Sequence, residues 1–298
     1  MWNRRTILVG AGALSLTACK PERAPAQAHP VEPVERLVAL DFTALEDRFK
    51  GRMGFAFASE GVRGGWRENE RFVYCSTFKM YLAAAMLVRI QSGQDELNRA
   101  VPVTRADMIN HAPVTEKAVG RTLTLKELMK GTVEVSDNPA ANILIREMGG
   151  LDLLRQFYRD IGDKTTRVDR LEPEMNRLDG DKDTIAPMQS VRNIEHLLLS
   201  ESSPLRDENK RLLLEWMVAA PTGADRLKAG TPQGWTVAHK TGTGGYGPVN
   251  DIGILYPVEG AAITVAAYFH GAPASTPDQR EQAIAEATRQ MLDVLGHG

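Results

Sequence analysis

A chain of 298 residues, 43% hydrophobic and 25% charged, is long enough to bury one large core or two lobes. Its net charge of -2, with the two signs interspersed, leaves no electrostatic footprint for a nucleic acid. Six histidines form no ligand-spaced cluster, so neither a metal nor another cofactor is expected.

The chain opens as an export signal over residues 1–19: Arg4 and Arg5, a short apolar stretch from Ile7 to Leu16, then Leu-Thr-Ala-Cys. The stretch is too short to span a bilayer as a mature helix. Adjacent arginines before it resemble a twin-arginine signal, and the last four residues resemble a lipobox, which would make Cys19 the lipidated first residue of a periplasmic, membrane-anchored protein. Residues 20–36 carry four prolines between Pro21 and Pro33 and read as a disordered tether. With Cys19 lipidated, Cys75 has no partner for a disulfide and reads as a buried small hydrophobe.

From residue 37 the pattern becomes that of a folded domain. Phe42, Leu45 and Phe49 space an amphipathic helix, and "RMGFAFAS" reads as a strand. Between Ser76 and about Met217 the chain offers helices ("LTLKELMKG", "AANILIREMGG", "LDLLRQFYRDIGD", "VRNIEHLLLS") and almost no strand signal. Strands return in "GWTVAHK", "DIGILYP" and "AAITVAAYFH", ahead of a long final helix. This order predicts an α+β or α/β protein of two lobes. An antiparallel sheet flanked by helices (about 37–70 and 219–298) would receive an inserted all-helical lobe (about 71–218), with the ligand cleft between them.

Four short elements carry candidate chemistry. In "YCSTFKMYLAAAML", Ser76 and Lys79 are either a helix N-cap with a solvated first-turn lysine, or a hydroxyl one turn from an amine. The positive helix end and apolar neighbours such as Met80, Tyr81 and Leu87 would loosen the proton on Lys79, which favours the second reading. "VEVSDNPAAN" places Ser136, Asp137 and Asn138 before a helix, where an N-cap would also explain them. "RLEPEMN" supplies Glu172 and Asn176 or simply a solvated charged loop, and "AHKTGTGG" supplies Lys240, Thr241, Gly242 and Thr243 or a strand entering a glycine turn.

Ser-x-x-Lys, Ser-Asp-Asn and Lys-Thr-Gly in this order resemble the motif set of class A (serine) β-lactamases, in the superfamily shared with penicillin-binding proteins. The resemblance runs from about Val38 to near the C-terminus, and it implies hydrolysis of penicillins and cephalosporins through an acyl-enzyme on Ser76. By that resemblance Lys79 and Ser136 carry protons and Glu172 with Asn176 holds the hydrolytic water. Asn142 holds Glu172, and Asn138 takes the substrate's side-chain amide. Lys240, Thr241 and Thr243 take its carboxylate, and the backbone N–H groups of Ser76 and Thr243 form the oxyanion hole. The resemblance further implies an Arg170–Asp183 pair closing the Ω-loop and a cis bond before Pro173. The loop segment "NRLDGDKD" is about two residues shorter than in common members, and Met175 stands where they have Leu. His111 occupies a rim position usually held by an aromatic residue, with an exposed loop histidine as its plain alternative. Arg226 is either an added cation beside Lys240 or a surface residue.

A penicillin-binding D,D-peptidase and a non-catalytic sensor are the rivals. Glu172 and Asn176 separate a hydrolase from the first, because a persistent acyl adduct results where no group activates water; the second would be expected to have lost at least one of Ser76, Lys79, Ser136, Glu172 or Lys240, and all five are present. The expected partner is a small β-lactam, and the expected state is a monomer.

Overall fold

In the computed structural model of the protein, the described residues are 36–245 and 247–297. The expected export signal, its lipidation candidate Cys19 and the tether as far as residue 35 lie outside them. At residue 36 the tether expectation overshoots. Arg36 already opens a strand and donates its N–H to Gly61 O at 2.8 Å.

The main sheet is built from β1 (Arg36–Ala39), β2 (Gly51–Ser59), β3 (Val62–Trp66), β8 (Thr236–Thr243), β9 (Pro248–Tyr256) and β10 (Ile263–Gly271). Its order is β1-β3-β2-β10-β9-β8. Neighbours are antiparallel except β1, which runs parallel to β3, so the sheet is mixed where an antiparallel one was expected. The central strands are buried on both faces, and the period-two alternation sorts large from small side chains. Phe55, Phe57, Val265 and Phe269 point into one core with Ile284 and Met291, whereas Ala56, Ala58, Ala266 and Tyr268 belong to the other.

Nine helices are described: α1 (Thr43–Phe49), α2 (Phe78–Gln91), α3 (Leu125–Glu134), α4 (Asn138–Met148), α5 (Leu151–Asp160), α6 (Pro187–Ile194), α7 (Asp207–Ala219), α8 (Leu227–Gly230) and α9 (Pro277–Leu295). Helices α1 and α9 cover the phenylalanine face. On the alanine face the small side chains admit α6 against β2 and β10, and the same core continues into α2, α3, α4 and α5. The helical segment is thus fused to the sheet through one continuous core.

Local sequence sets several helix ends. Thr124 and Glu127 form a capping box at α3, Thr276 and Gln279 another at α9, and Gly149 closes α4 in the left-handed region at φ 110°. Helix α2 is different: every residue from Phe78 to Leu87 is buried, so over that stretch it is the central helix and has no solvent face.

Four short strands were not legible: β5 (Ala100–Pro102) pairs with β6 (Thr122–Thr124), and β4 (Phe72–Val73) with β7 (Thr184–Ile185). Two or three residues are too few for alternation to show. The β4–β7 pair ties the residues just before Ser76 to those just after Asp183, and so links two walls of one cleft.

Candidate active site

Between β4 and α2 the chain makes a tight turn, Cys75–Thr77, in which Cys75 takes φ 48°. The turn is anchored from the sheet: Asn250 Nδ2 donates to Val73 O at 2.9 Å and Tyr74 O at 3.0 Å. Strand β8 presses against it so closely that a Cβ on Gly242 would lie 2.7 Å from Tyr74 O and 3.1 Å from Ser76 N. Only glycine fits there. The bland N-cap role falls to neither Ser76 nor any side-chain bond, since the residue preceding α2 is Thr77, without a capping hydrogen bond.

Lys79 is fully buried on the first turn of α2, and its Nζ donates to Ser136 O at 2.7 Å, to Ser136 Oγ at 3.3 Å and to Asn138 Oδ1. It also lies 3.1 Å from Glu172 Oε1. Burial lowers the lysine pKa below its ordinary value, with the glutamate opposing the shift. Ser76 Oγ donates to the same Glu172 oxygen at 3.2 Å. One carboxylate oxygen therefore joins the hydroxyl to the amine.

Ser136 lines the cleft with its backbone at φ 60°, next to a residue that is anchored on several sides. The buried Asp137 accepts from Val114 N and Thr115 N at 2.9 Å each, from Thr115 Oγ1 at 2.8 Å, and from Ala140 N at 2.8 Å. This knot caps α4 and also anchors the 111–115 loop. Asn138 completes the wall, donating its side-chain N–H to Asn110 O at 3.1 Å and its backbone N–H to His111 O at 3.0 Å.

Glu172 is carried by the Ω-loop, residues 170–183, where side chains do the work of a ladder. Asn142 on α4 grips its backbone in both directions, donating to Glu172 O at 2.9 Å and accepting from Glu172 N at 3.0 Å. Asn176 Nδ2 donates to Glu172 Oε2. Arg170 Nε pairs with the buried Asp183 at 2.6 Å, and Asp183 also accepts from Asp169 N at 2.7 Å and Arg170 N at 3.0 Å. The Glu172–Pro173 bond is cis. The Arg170–Asp183 pair closes the loop as expected, and Met175 within it is fully buried.

The opposite wall is β8. Lys240 is fully buried and donates to Ser136 Oγ at 3.2 Å and Thr241 O at 2.9 Å. Burial pushes its pKa well below the ordinary value, and the charge of Lys79 adds to that. Thr241 Oγ1 is 2.9 Å from Thr222 Oγ1. Arg226, which could have been a surface residue, is 5% exposed. Its guanidinium donates to Gly242 O at 3.1 Å, Asn250 O at 2.9 Å, Thr243 Oγ1 at 2.8 Å and Glu281 Oε1 at 2.9 Å. His111 is exposed at the rim, at φ 58°, with Nε2 2.8 Å from Val135 O.

Between these walls lies a cleft of about 660 Å³, lined by Ser76, His111, Ser136, Asn138, Asn176, Arg226, Thr241, Gly242 and Thr243, with Lys79, Glu172 and Lys240 behind. The structure thus brings together all the expected site residues that lie among the described residues. Asn110, Thr222 and Glu281 were missed. The first adjoins His111 and offered an amide as its signal, but nothing in the sequence links Glu281 to Arg226, 55 positions away. Cys75 is buried without a disulfide, and burial, reinforced by Glu172, raises its pKa.

The profile of the Beta-lactamase enzyme family matches residues 38–295. A β-lactamase of Citrobacter koseri is 36% identical over 296 residues, covering 98% of each chain, and β-lactamase L2 of Stenotrophomonas maltophilia is 38% identical over 87% of this chain and 86% of its own. Among solved structures, an ancestral class A β-lactamase superposes with TM-score 0.82 at 40% identity, covering 85% of this chain and 98% of the other. A class A β-lactamase of Mycobacterium abscessus gives TM-score 0.81 at 38% identity, over 86% and 98%. By sequence and by fold together, the chain belongs to the β-lactamase enzyme family, and within it to class A.

Proposed function

We propose that the protein opens the β-lactam ring of penicillins and cephalosporins through an ester on Ser76, conferring resistance to them. The observation that carries this reading is the shared oxygen of Glu172, 3.2 Å from Ser76 Oγ and 3.1 Å from Lys79 Nζ. It offers the serine proton a direct acceptor and links that acceptor to an amine whose proton burial has loosened.

In the first half-reaction Ser76 Oγ bonds to the lactam carbonyl carbon. The backbone N–H groups of Ser76 and Thr243 meet the oxygen as it turns anionic. The ring C–N bond breaks, and the nitrogen takes a proton from Ser136, which Lys79 re-supplies through the hydrogen bond between them; the proton that Glu172 took from Ser76 then passes to Lys79 across their 3.1 Å contact, which leaves the carboxylate ionised for the second half. In the second, Glu172 takes a proton from water held with Asn176, the hydroxide attacks the ester, and Ser76 leaves with its proton restored. Lys240, Thr241, Thr243 and Arg226 hold the substrate carboxylate, and Asn138 its side-chain amide. Glu172 at hydrogen-bond distance from Ser76 favours a hydrolase over a penicillin-binding protein that stays acylated.

Residues 1–19 act in this proposal as an export signal to the periplasm, with Cys19 as a lipid anchor. All the proposed site residues come from one chain, which fits a monomer. Mass spectrometry of protein mixed with a penicillin, sampled from seconds to an hour while product is followed by absorbance, tests the reaction. Fast product with Ser76 returning to its unmodified mass is expected. A lasting adduct with little product would move the assignment to a penicillin-binding or sensor protein.

A further inference from the structure

Counting donors separates the two cations of the sheet wall. An ammonium has three N–H groups. Lys240 gives two of them, to Ser136 Oγ and Thr241 O, and the third meets no acceptor among the described residues. A guanidinium has five, fixed in a planar fork. Arg226 gives all five to the protein. Its Nη1 donates to Gly242 O at 3.1 Å and Asn250 O at 2.9 Å, its Nη2 to Thr243 Oγ1 at 2.8 Å and Glu281 Oε1 at 2.9 Å, and its Nε to the same glutamate oxygen at 3.1 Å. Although Arg226 borders the cleft, a substrate carboxylate can gain a hydrogen bond from it only by breaking one of these.

Of the four residues that accept from Arg226, only Thr243 is exposed, and it lines the cleft. A hydroxyl carries one hydrogen and two lone pairs. The bond from Arg226 occupies a lone pair, and the hydrogen of Thr243 meets no acceptor among the described residues. The guanidinium therefore orients this hydroxyl as a donor toward whatever enters the cleft. Arg226 is held in turn from behind. Gly242 and Asn250 grip one arm of the fork through the backbone of β8 and β9, and Glu281 on α9 grips the other arm and Nε with a single oxygen. Glu281 is the only carboxylate in ion-pair contact with Arg226 among the described residues, and it takes no part in lining the cleft.

We propose that Glu281 and Arg226 are a pair of positioning residues that act on the substrate through Thr243. Glu281 seats the guanidinium, the guanidinium orients the hydroxyl, and the hydroxyl donates to the substrate carboxylate. This rests on the reading of this wall as the carboxylate site. Within that site Lys240 is the cation that meets the carboxylate directly, and Arg226 holds it through Thr243.

The test is steady-state hydrolysis of benzylpenicillin by the full chain and its variants. Glu281→Ala removes the acceptor of two N–H groups, so the guanidinium is no longer held against Thr243. KM should rise about tenfold with kcat within about twofold. Glu281→Gln keeps an oxygen at that place and should recover most of the loss. Thr243→Val deletes the hydroxyl in a side chain of the same shape and should raise KM at least about tenfold, the low end for a hydrogen bond to a charged group. In the double variant the Glu281→Ala change should add nothing to Thr243→Val, since the pair works only through the hydroxyl. A cation that bound the carboxylate itself would give another pattern: freeing two of its donors in Glu281→Ala would lower KM or leave it unmoved, and any two increases would multiply. Either result would overturn the proposal, as would an unmoved KM in Thr243→Val, no recovery in Glu281→Gln, or kcat and KM worsening together. If Glu281→Ala does not fold, Glu281→Asp, one methylene shorter, takes its place with the same outcomes. A parent protein with no penicillin turnover would instead sink the proposed function.

Discussion

The two walls of the cleft are held by different means. On the sheet side Lys240, Thr241 and Thr243 ride on β8, whose backbone is paired along its length with β9. On the other side the Ω-loop contains only the short turn Glu174–Asn176, and Glu172 is placed by side chains from Asn142, Asn176, Arg170 and Asp183. A ladder spreads positional control over many equivalent bonds, whereas a clamp concentrates it in a few residues. Substitutions behind the sheet wall should therefore tune binding, and substitutions in the loop should decide turnover.

The sharpest way to break that contrast is Glu172→Ala. Loss of Glu172 should cut turnover by roughly 10²–10⁴-fold or more, and it should harm deacylation more than acylation, in which Lys79 can take the Ser76 proton instead, so the covalent adduct should accumulate in a mass spectrum. Normal turnover by this variant would remove Glu172 from the mechanism. Next in size is Asp183→Asn, which leaves Arg170 without its buried counter-ion. With Arg170 still 20% exposed, the cost should fall near the low end for a buried pair, about 3 kcal/mol, read from denaturant unfolding. Deacylation should slow with it, and a variant as stable and as fast as the parent would show that the clamp does not place Glu172. On the sheet wall, Lys240→Ala should raise KM across penicillins and leave the ladder intact; unchanged kcat/KM would contradict a carboxylate-binding role.

The sequence made the chemistry legible wherever a residue type and its spacing carried the information. Ser76 and Lys79 one helical turn apart, and the serine, acid and amide at 136–138, needed no long-range knowledge. The surprise of Lys79 inside an apolar stretch was itself a signal, explained by a central helix without a solvent face over that stretch. The buried pairing of His239 with Asp251 was not legible. It arises from a diagonal contact across β8 and β9, and neither residue belongs to a short-range pattern. Strands β4 to β7 escaped for a related reason, since pairing partners lie as far apart as Phe72 and Ile185.

Four of the non-glycine residues with positive φ stand at the site: Cys75, His111, Ser136 and Asp183. Each costs the fold of order 1–3 kcal/mol relative to a relaxed backbone. Glycine would relieve that cost at any of them, yet at Ser136 it would delete the hydroxyl and at Asp183 the carboxylate. A search for thermostable variants should thus find a gain at Ser136 that comes with slower catalysis and none at Asp183, where losing the pair with Arg170 cancels the relief, so the route by which this enzyme could become more robust runs through a residue it can least spare.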